Sequence, residues 1–392
     1  MRKRTGNSFA GGGVDDRQLR HSNSRVAGMN PDAGKGSKGG AVTMRDVARE
    51  AKVHVTTVSL ALRNSPQLPP ATRARIQALA RRMGYQTNPL VVAFVQRRRE
   101  AHPARFQGTL AFITRSEAGG EWRELRDNPY VLRMFKAGAE QAEALGFKLE
   151  PFEIADYGGS GAAAATRLER ALHARNIRGL FFPPPQHASA DGRIIDLNWE
   201  HFAAVTLSSS VTNPAIDRVD SDHFAGSQLA VQKLAARGYR RPGFFLMKST
   251  FERPQQRWWG GFLATCDYMR GLQRVPPLIA EEDRLAEAFG RWFVRWKPDM
   301  LMSNGLTLQH CLPVLKELGV SIPRDVGLVE VNLHTHDGTN TGIYTNVEER
   351  ARITVDHLVN NLYRNKLGLP ETPRMMLVGP VWHEGTTLPE RR

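Results

Sequence analysis

Between residues 54 and 63 the chain gathers side chains that make directional hydrogen bonds: His54, the hydroxyls of Thr56, Thr57 and Ser59, and Arg63. Serine and threonine hydroxyls suit phosphate oxygens or base-edge acceptors, and a threonine methyl fits against a thymine methyl. Val55 and Leu60 lie among them. Two readings stay open for both, apolar contact with a base or packing inside the local helical unit. Groups for bond-making chemistry are scarce by comparison. The sequence has no Gly-x-x-x-x-Gly-Lys-Ser/Thr loop and no Gly-x-Ser-x-Gly elbow. His334 and His336 stand close to Asp337, but a His-x-His spacing alone reads as a polar surface loop rather than a metal site. No catalytic residue, metal ligand or cofactor is expected, and the chain is not read as an enzyme. Two cysteines, Cys266 and Cys311, do not make a disulfide framework.

The hydroxyl-rich segment needs a rigid support, and its flanks predict one. Thr43-Met44-Arg45-Asp46 has the form of a capping box, with Thr43 as N-cap and Asp46 reaching back. Val47, Ala48 and Ala51 then form the buried stripe of a first helix, and Lys52 and Val53 make a turn. Thr56 to Leu62 is a second helix, with Val58 and Leu62 facing inward at i,i+4 spacing. Pro69 and Pro70 suit the start of a third helix, whose apolar stripe is Ile76, Leu79, Ala80 and Met83. Gly84 fits its C′ position. Two short helices so close together are the plan of a helix-turn-helix, which lays a helix in the DNA major groove.

Charge supports this plan. Residues 1–100 carry 19 Lys+Arg against 6 Asp+Glu, whereas the rest of the chain carries 35 against 33. A basic block joined to a near-neutral body is the footprint of a nucleic-acid module attached to something else. Residues 1–41, rich in Gly, Ser, Asn and Arg, are expected to be a disordered basic tail. Gln96-Arg97-Arg98-Arg99 reads as part of a linker. No apolar h-region follows Met1-Arg2-Lys3-Arg4, so neither a secretory leader nor a membrane span is expected, and the location expected is the cytoplasm, on the nucleoid.

Beyond the linker the pattern changes to alternating strands and helices. Strands are expected at Thr109–Thr114, Phe147–Ile154, Gly179–Phe182, Ala203–Leu207, Gly243–Met247, Met300–Ser303 and Val326–Val331. Helices are expected at Tyr130–Leu145, Arg167–Ala174, Phe224–Ala236 and Leu312–Leu318. Such alternation builds an α/β body with parallel sheets covered on both faces. Its length, near 280 residues, suits two lobes with a cleft between them.

The combined pattern resembles the LacI/GalR family of bacterial transcriptional regulators over residues 42 to about 388. The resemblance rests on Val42–Ala48, Thr57-Val58-Ser59, Thr72-Arg73 and Gly84–Asn88 in the first part. In the body it rests on Arg175–Leu180, Arg218–Asp222, Gly238–Gly243, Ile322–Gly327 and Val381–Thr387. It implies a tail at 1–41, a helix-turn-helix DNA-binding domain at 42–86, a hinge helix and linker at 87–105, and at 106–392 a two-lobed, periplasmic-binding-protein-like body that binds an effector and dimerises.

Carried over residue by residue, the resemblance makes Val55, Thr56 and Leu60 readers of base edges, with His54, Thr57, Ser59 and Arg63 around them. Thr43, Thr72 and Tyr85 join the expected DNA contacts, as do Asn88, Val91 and Phe94 of the hinge. Phe94 stands where relatives insert an apolar wedge into the minor groove; packing against the body is its other reading. Effector contacts are expected from Ser116, Tyr130, Arg257, Trp258, Asn304 and Asn332 at the cleft, although Trp258 also reads as a core residue. Two departures stand out. Sugar-binding relatives carry an acid just after the asparagine matching Asn304, and this chain has Gly305. The family's ligand-gripping arginine matches Arg257 only with an offset of one residue.

The partners implied are double-stranded operator DNA read as a palindrome, a second copy of the chain, and a small-molecule effector such as a sugar or related metabolite, with no membrane partner. The alternatives are a regulator answering to a protein partner or to no ligand, and a solute-binding protein, which shares the two-lobed body.

Overall fold

The computed structural model describes residues 42–62, 65, 67–85, 106–114, 128–158, 161–184, 194–252, 255–273, 275–335 and 337–391. The expected tail, the hinge and linker beyond residue 86, and Arg63, Ser116 and His336 lie outside the described residues. The first unit holds α1 (Met44–Ala51), α2 (Val55–Leu62) and α3 (Pro70–Arg82). The capping box forms as expected. Thr43 Oγ1 accepts from Asp46 N–H, and the Asp46 carboxylate accepts from Thr43 N–H at 2.9 Å. Lys52 adopts a left-handed conformation (φ 55°), which turns the chain sharply between α1 and α2. Gly84, at φ +72°, ends α3 in the conformation that glycine enters without a Cβ penalty.

This unit is small, and its core is correspondingly compact: Val47, Ala48, Ala51, Val58, Ala61, Ile76, Leu79 and Ala80. Side chains of α3 finish the job by binding the backbone of the other helices. Gln77 Nε2 donates to the carbonyl of Ala61 at 2.8 Å, and Arg75 donates to that of Ala51. Terminal helix carbonyls have no intrahelical donor, so these bonds fix the angle between α3 and its neighbours.

The body consists of two six-stranded sheets. The first runs in the order β11 (Met375–Val378), β5 (Asp217–Ser221), β4 (Ala203–Thr206), β3 (Gly179–Phe182), β1 (Gly108–Thr114), β2 (Phe147–Glu153), and all its pairs are parallel. The second runs β12 (Val381–His383), β10 (Gly342–Tyr344), β9 (Gly327–Leu333), β8 (Met300–Ser303), β6 (Pro242–Met247), β7 (Leu278–Ala280). Its pairs are parallel, as expected, except β10 with β12, which is antiparallel. The chain enters β12 just after β11, with no crossover helix to reverse its direction.

Each sheet is buried on both faces, as apolar parallel strands require. In the first lobe α4 (Pro129–Ala144) and α11 (Val347–Tyr363) cover one face, and α5 (Ala162–Ala174) covers the other. In the second, α6 (His223–Ala236) and α8 (Arg257–Tyr268) cover one face, and α9 (Glu282–Trp296) and α10 (Gly305–Glu317) the other. The short α7 (Lys248–Glu252) leads out of β6. Fully buried Phe112, Phe181, Phe244, Phe245 and Phe289 each contribute roughly 1.5–3 kcal/mol through burial. Cys266 and Cys311 are buried and form no disulfide, and burial pushes the Cys311 thiol up to about 12.

The chain passes between the lobes three times, after β5, after β10 and after β11. Ser221 Oγ donates to the carbonyl of Thr345 at 3.2 Å and ties two of these passages together.

Candidate DNA interface and effector cleft

On α2 the sidedness is sharp. Val58 and Ala61 are completely buried, while Thr56 is exposed and Thr57, Ser59 and Leu60 are half-buried. Val55 packs against the edge of the core, so its core reading holds at least in part. Leu60 is not part of that packing. His54 opens the helix: its carbonyl accepts from Thr57 N–H at 2.9 Å, and its Nδ1 lies 2.8 Å from Thr56 Oγ1. The imidazole thereby orients the Thr56 hydroxyl. Thr43 is exposed, but its hydroxyl donates to Asp46 at 2.6 Å, which draws the Asp46 carboxyl below its usual range. Thr72 is half-buried on α3, and Tyr85 rests against the core edge. Exposed Arg45, Arg49, Lys52, Arg81 and Arg82 give this unit a cationic surface.

In the body, the expected effector residues fall into two linked groups. Tyr130, at the start of α4, stacks on His334 of the other lobe with ring centroids 4.3 Å apart. Asn332 lies 2.9 Å from His334 Nε2 through its amide nitrogen. Arg133, one turn beyond Tyr130, donates to the His334 carbonyl and pairs with Glu348. The Tyr344 hydroxyl donates to the same Glu348 at 2.7 Å, and burial together with that carboxylate lifts the phenol to about 12.

The second group centres on Asp220 and Arg350, both buried. Arg350 Nη1 lies 3.2 Å from Asp220, and its Nη2 donates to the Tyr130 hydroxyl at 2.7 Å. Asp220 also accepts from the Ser209 and Ser221 amides and lies 3.4 Å from His223 Nε2. Burial alone would raise the Asp220 carboxyl. The charges of His223 and Arg350 outweigh it and hold the carboxyl well below the usual range. His223 meets Trp258 edge to face at 4.8 Å. Trp258 is also part of the second lobe's core. Arg257 Nη2 donates to Gln255 at 3.1 Å. Tyr130, Trp258 and Asn332 are therefore brought into one network across the lobes, and Arg257 adjoins Trp258 in the chain. Asn304 serves the fold: it caps α10, accepting from Thr307 N–H at 2.9 Å.

Asp220, Arg350 and His223 escaped sequence reasoning as site residues, and His334 was read there only as part of a polar surface loop. The block Arg218–Asp222 did stand out by resemblance, but nothing in a run of charges indicates a partner 130 residues away. Among the described residues no group of His, Cys, Asp and Glu could hold a metal ion, and no helix is long and apolar enough to cross a membrane.

A family model for bacterial regulatory proteins of the lacI family matches residues 43–88, the three-helix unit. A model for a periplasmic binding protein-like domain matches residues 231–386, most of the second lobe and the return through α11. The chain joins a lacI-family DNA-binding unit to a periplasmic binding protein-like domain. It is thus a transcriptional regulator with a DNA-binding domain and a ligand-binding domain.

Relatives in the LacI family span most of its length. The HTH-type transcriptional regulator MalR of Staphylococcus xylosus is 21% identical over 295 residues, 74% of this chain and 81% of that protein. The sucrose operon repressor of Escherichia coli is 25% identical over 301 residues, 73% and 82% of the two chains. The transcriptional repressor CytR of Escherichia coli (strain K12) is 48% identical over 50 residues, 13% of this chain and 15% of CytR. Among solved structures, the CelR–cellobiose complex aligns with a TM-score of 0.53 at 19% identity, covering 88% of this chain and 99% of that one. The lac repressor dimer bound to operator and the anti-inducer ONPF gives 0.50 at 16% identity, covering 89% and 100%. These two share its fold.

Proposed function

We propose that the chain is a repressor that binds a palindromic operator as a homodimer and is modulated by a small molecule held between its lobes. One observation carries this reading: α2 buries Val58 and Ala61 completely while presenting Thr56 to solvent, with its hydroxyl set by His54. That is the geometry of a recognition helix, with Thr56 the base-reading residue and Thr57, Ser59 and Arg63 the flanking contacts. Leu60 adds apolar contact. Thr43, Thr72 and Tyr85 border the phosphates, and the segment containing Asn88, Val91 and Phe94 enters the minor groove.

One such unit reaches few base pairs, so two related by a twofold axis are needed to read a full site. The α/β body is the dimerising part. The lobes meet through Tyr130, Arg133 and His334, all of which an effector in the cleft displaces or reinforces. Such a ligand changes DNA affinity only through its unequal affinity for the two lobe arrangements. The periplasmic binding protein-like match over residues 231–386 supports a small molecule as effector.

The test is substitution of Thr56. Thr56→Ala is expected to change base preference at one position of each half-site, by about 1–3 kcal/mol, with no loss of thermal stability. Competition binding on single-base variants of the site reads this out. An unaltered preference profile would remove Thr56 as a reader.

A further inference from the structure

We infer that the effector of this cleft carries an anionic group, a carboxylate or a phosphate, held at the passage between the lobes by Arg257 and Arg218. The inference rests on the reading of the cleft as the effector site and adds the ligand's charge class to it.

Donors are in surplus at this place. Arg257 Nη1, Trp258 Nε1 and Arg350 Nε are buried without a hydrogen-bond partner. Trp258 is 6% exposed and Arg350 3%, so water cannot make up the loss. A buried donor without an acceptor costs about 1–3 kcal/mol, more when it is charged. Trp258 and Arg350 share one contact network and Arg257 adjoins Trp258 at the start of α8, so the three donors describe a site awaiting an acceptor-rich group. Positive charge is in surplus too. Arg218, on β5, lies half-buried, and burial together with the charge of Arg257 lowers its pKa, while Asp220 offsets only part of this. Two guanidinium groups that disfavour each other's charge are relieved by an anion between them.

The carboxylates of the region are meanwhile committed. Asp220 serves Arg350, Ser209 and His223. Asp222 caps α6 by accepting from Ala225 N–H at 2.9 Å, and Glu348 serves Arg133 and Tyr344. The acid that sugar-binding relatives place after the asparagine is Gly305 here. Its space is filled from the neighbouring strand: a Cβ on Gly305 would sit 2.7 Å from Glu330 Oε1. Glu330 is buried and its other oxygen accepts from Asn340 at 3.2 Å. The cleft has thus lost an acceptor suited to sugar hydroxyls and kept its cations. A neutral polyol needs both; a carboxylate or phosphate needs the donors.

Inorganic phosphate is the minimal probe. With the full chain, phosphate is expected to raise the melting temperature saturably. Arg257→Gln is expected to weaken this response about tenfold or more, the loss of one charge-assisted contact. Arg291→Gln, on the exposed side of α9, is expected to leave it intact. If Arg257→Gln fails to fold, Arg218→Gln replaces it. A panel of sugar phosphates and sugar acids, each beside its neutral parent sugar, then extends the test. Charged members are expected to stabilise the protein, and neutral parents not. Phosphate without effect, an equal effect in Arg257→Gln (an adventitious ion only, on the basic first unit), or neutral sugars binding as well as charged ones would each overturn the inference. A neutral sugar whose effect disappears in Arg257→Gln would keep the cleft as the effector site and discard only the charge class. Absence of any ligand whose effect depends on Arg257 would discard both, with DNA recognition untouched.

Discussion

Single residues carry most of what sets this regulator apart. Gly305 is visible in the sequence as a missing acid, but its reason is not, because Glu330 stands 25 residues away and meets it only through the β8–β9 register, Ser303 beside Glu330. Burial raises the Glu330 carboxyl above its usual range, against the pull of Asn340 and the Gly305 N–H. Gly305→Asp would force a second carboxylate into the same space. It is expected to cost about 2–4 kcal/mol, read as a lowered urea midpoint, and the added change Glu330→Gly should recover most of the loss. A single variant as stable as the parent would show that Gly305 is not there to admit Glu330. The α2 residues proposed to read bases stood out more readily, since a cap, a helix period and a row of hydroxyls are local features. His54 orienting Thr56 did not, because it depends on a side-chain rotamer.

Elements with clean apolar periods could be read directly, and β3 and β8 match their expected bounds. The misses have physical causes. β5, Asp217-Arg218-Val219-Asp220-Ser221, is too polar to read as a buried strand, yet its two carboxylates, Asp217 and Asp220, are matched by partners from elsewhere. α5 begins at Ala162 rather than Arg167, since a run of alanines has no polar face to mark a period. α10 runs from Gly305 rather than Leu312, straight through Pro313, because Asn304 caps it upstream. The tie between β5 and α11 shows what such polar strands do. Asp217 is buried, with His357 Nε2 at 2.6 Å and Arg374 Nη2 at 2.9 Å. Burial alone would raise Asp217, but these partners and the Arg374 N–H lower it to about 2, against an ordinary 3.8. The ionised form is the one stabilised, so this contribution is complete above about pH 4 and is lost as pH falls toward 2. Asp217→Asn is expected to cost about 3 kcal/mol at neutral pH, and to flatten the fall of the urea midpoint across that acid window. An undiminished acid slope in the variant would mean that Asp217 is not a stabilising charge.

At the scale of the whole molecule, positive charge is segregated from the body, and this division of labour was legible from composition alone. In the proposed reading, phosphate contacts from the basic part supply affinity without sequence information, whereas α2 supplies the sequence information. Replacing Arg97, Arg98 and Arg99 together by Gln is expected to weaken binding to all duplexes alike and to reduce the log–log salt slope by roughly 2–3. A changed consensus with an unchanged slope would reverse the roles assigned to linker and helix. The central claim is that two copies of the chain read a twofold-symmetric site through α2. Selection of binding sites from random duplex DNA with the purified full chain, without added ligand, tests it most directly. The account predicts a palindromic consensus whose two half-sites enrich together and are lost together. Enrichment of a lone, unpaired half-site, or none at all, would contradict it.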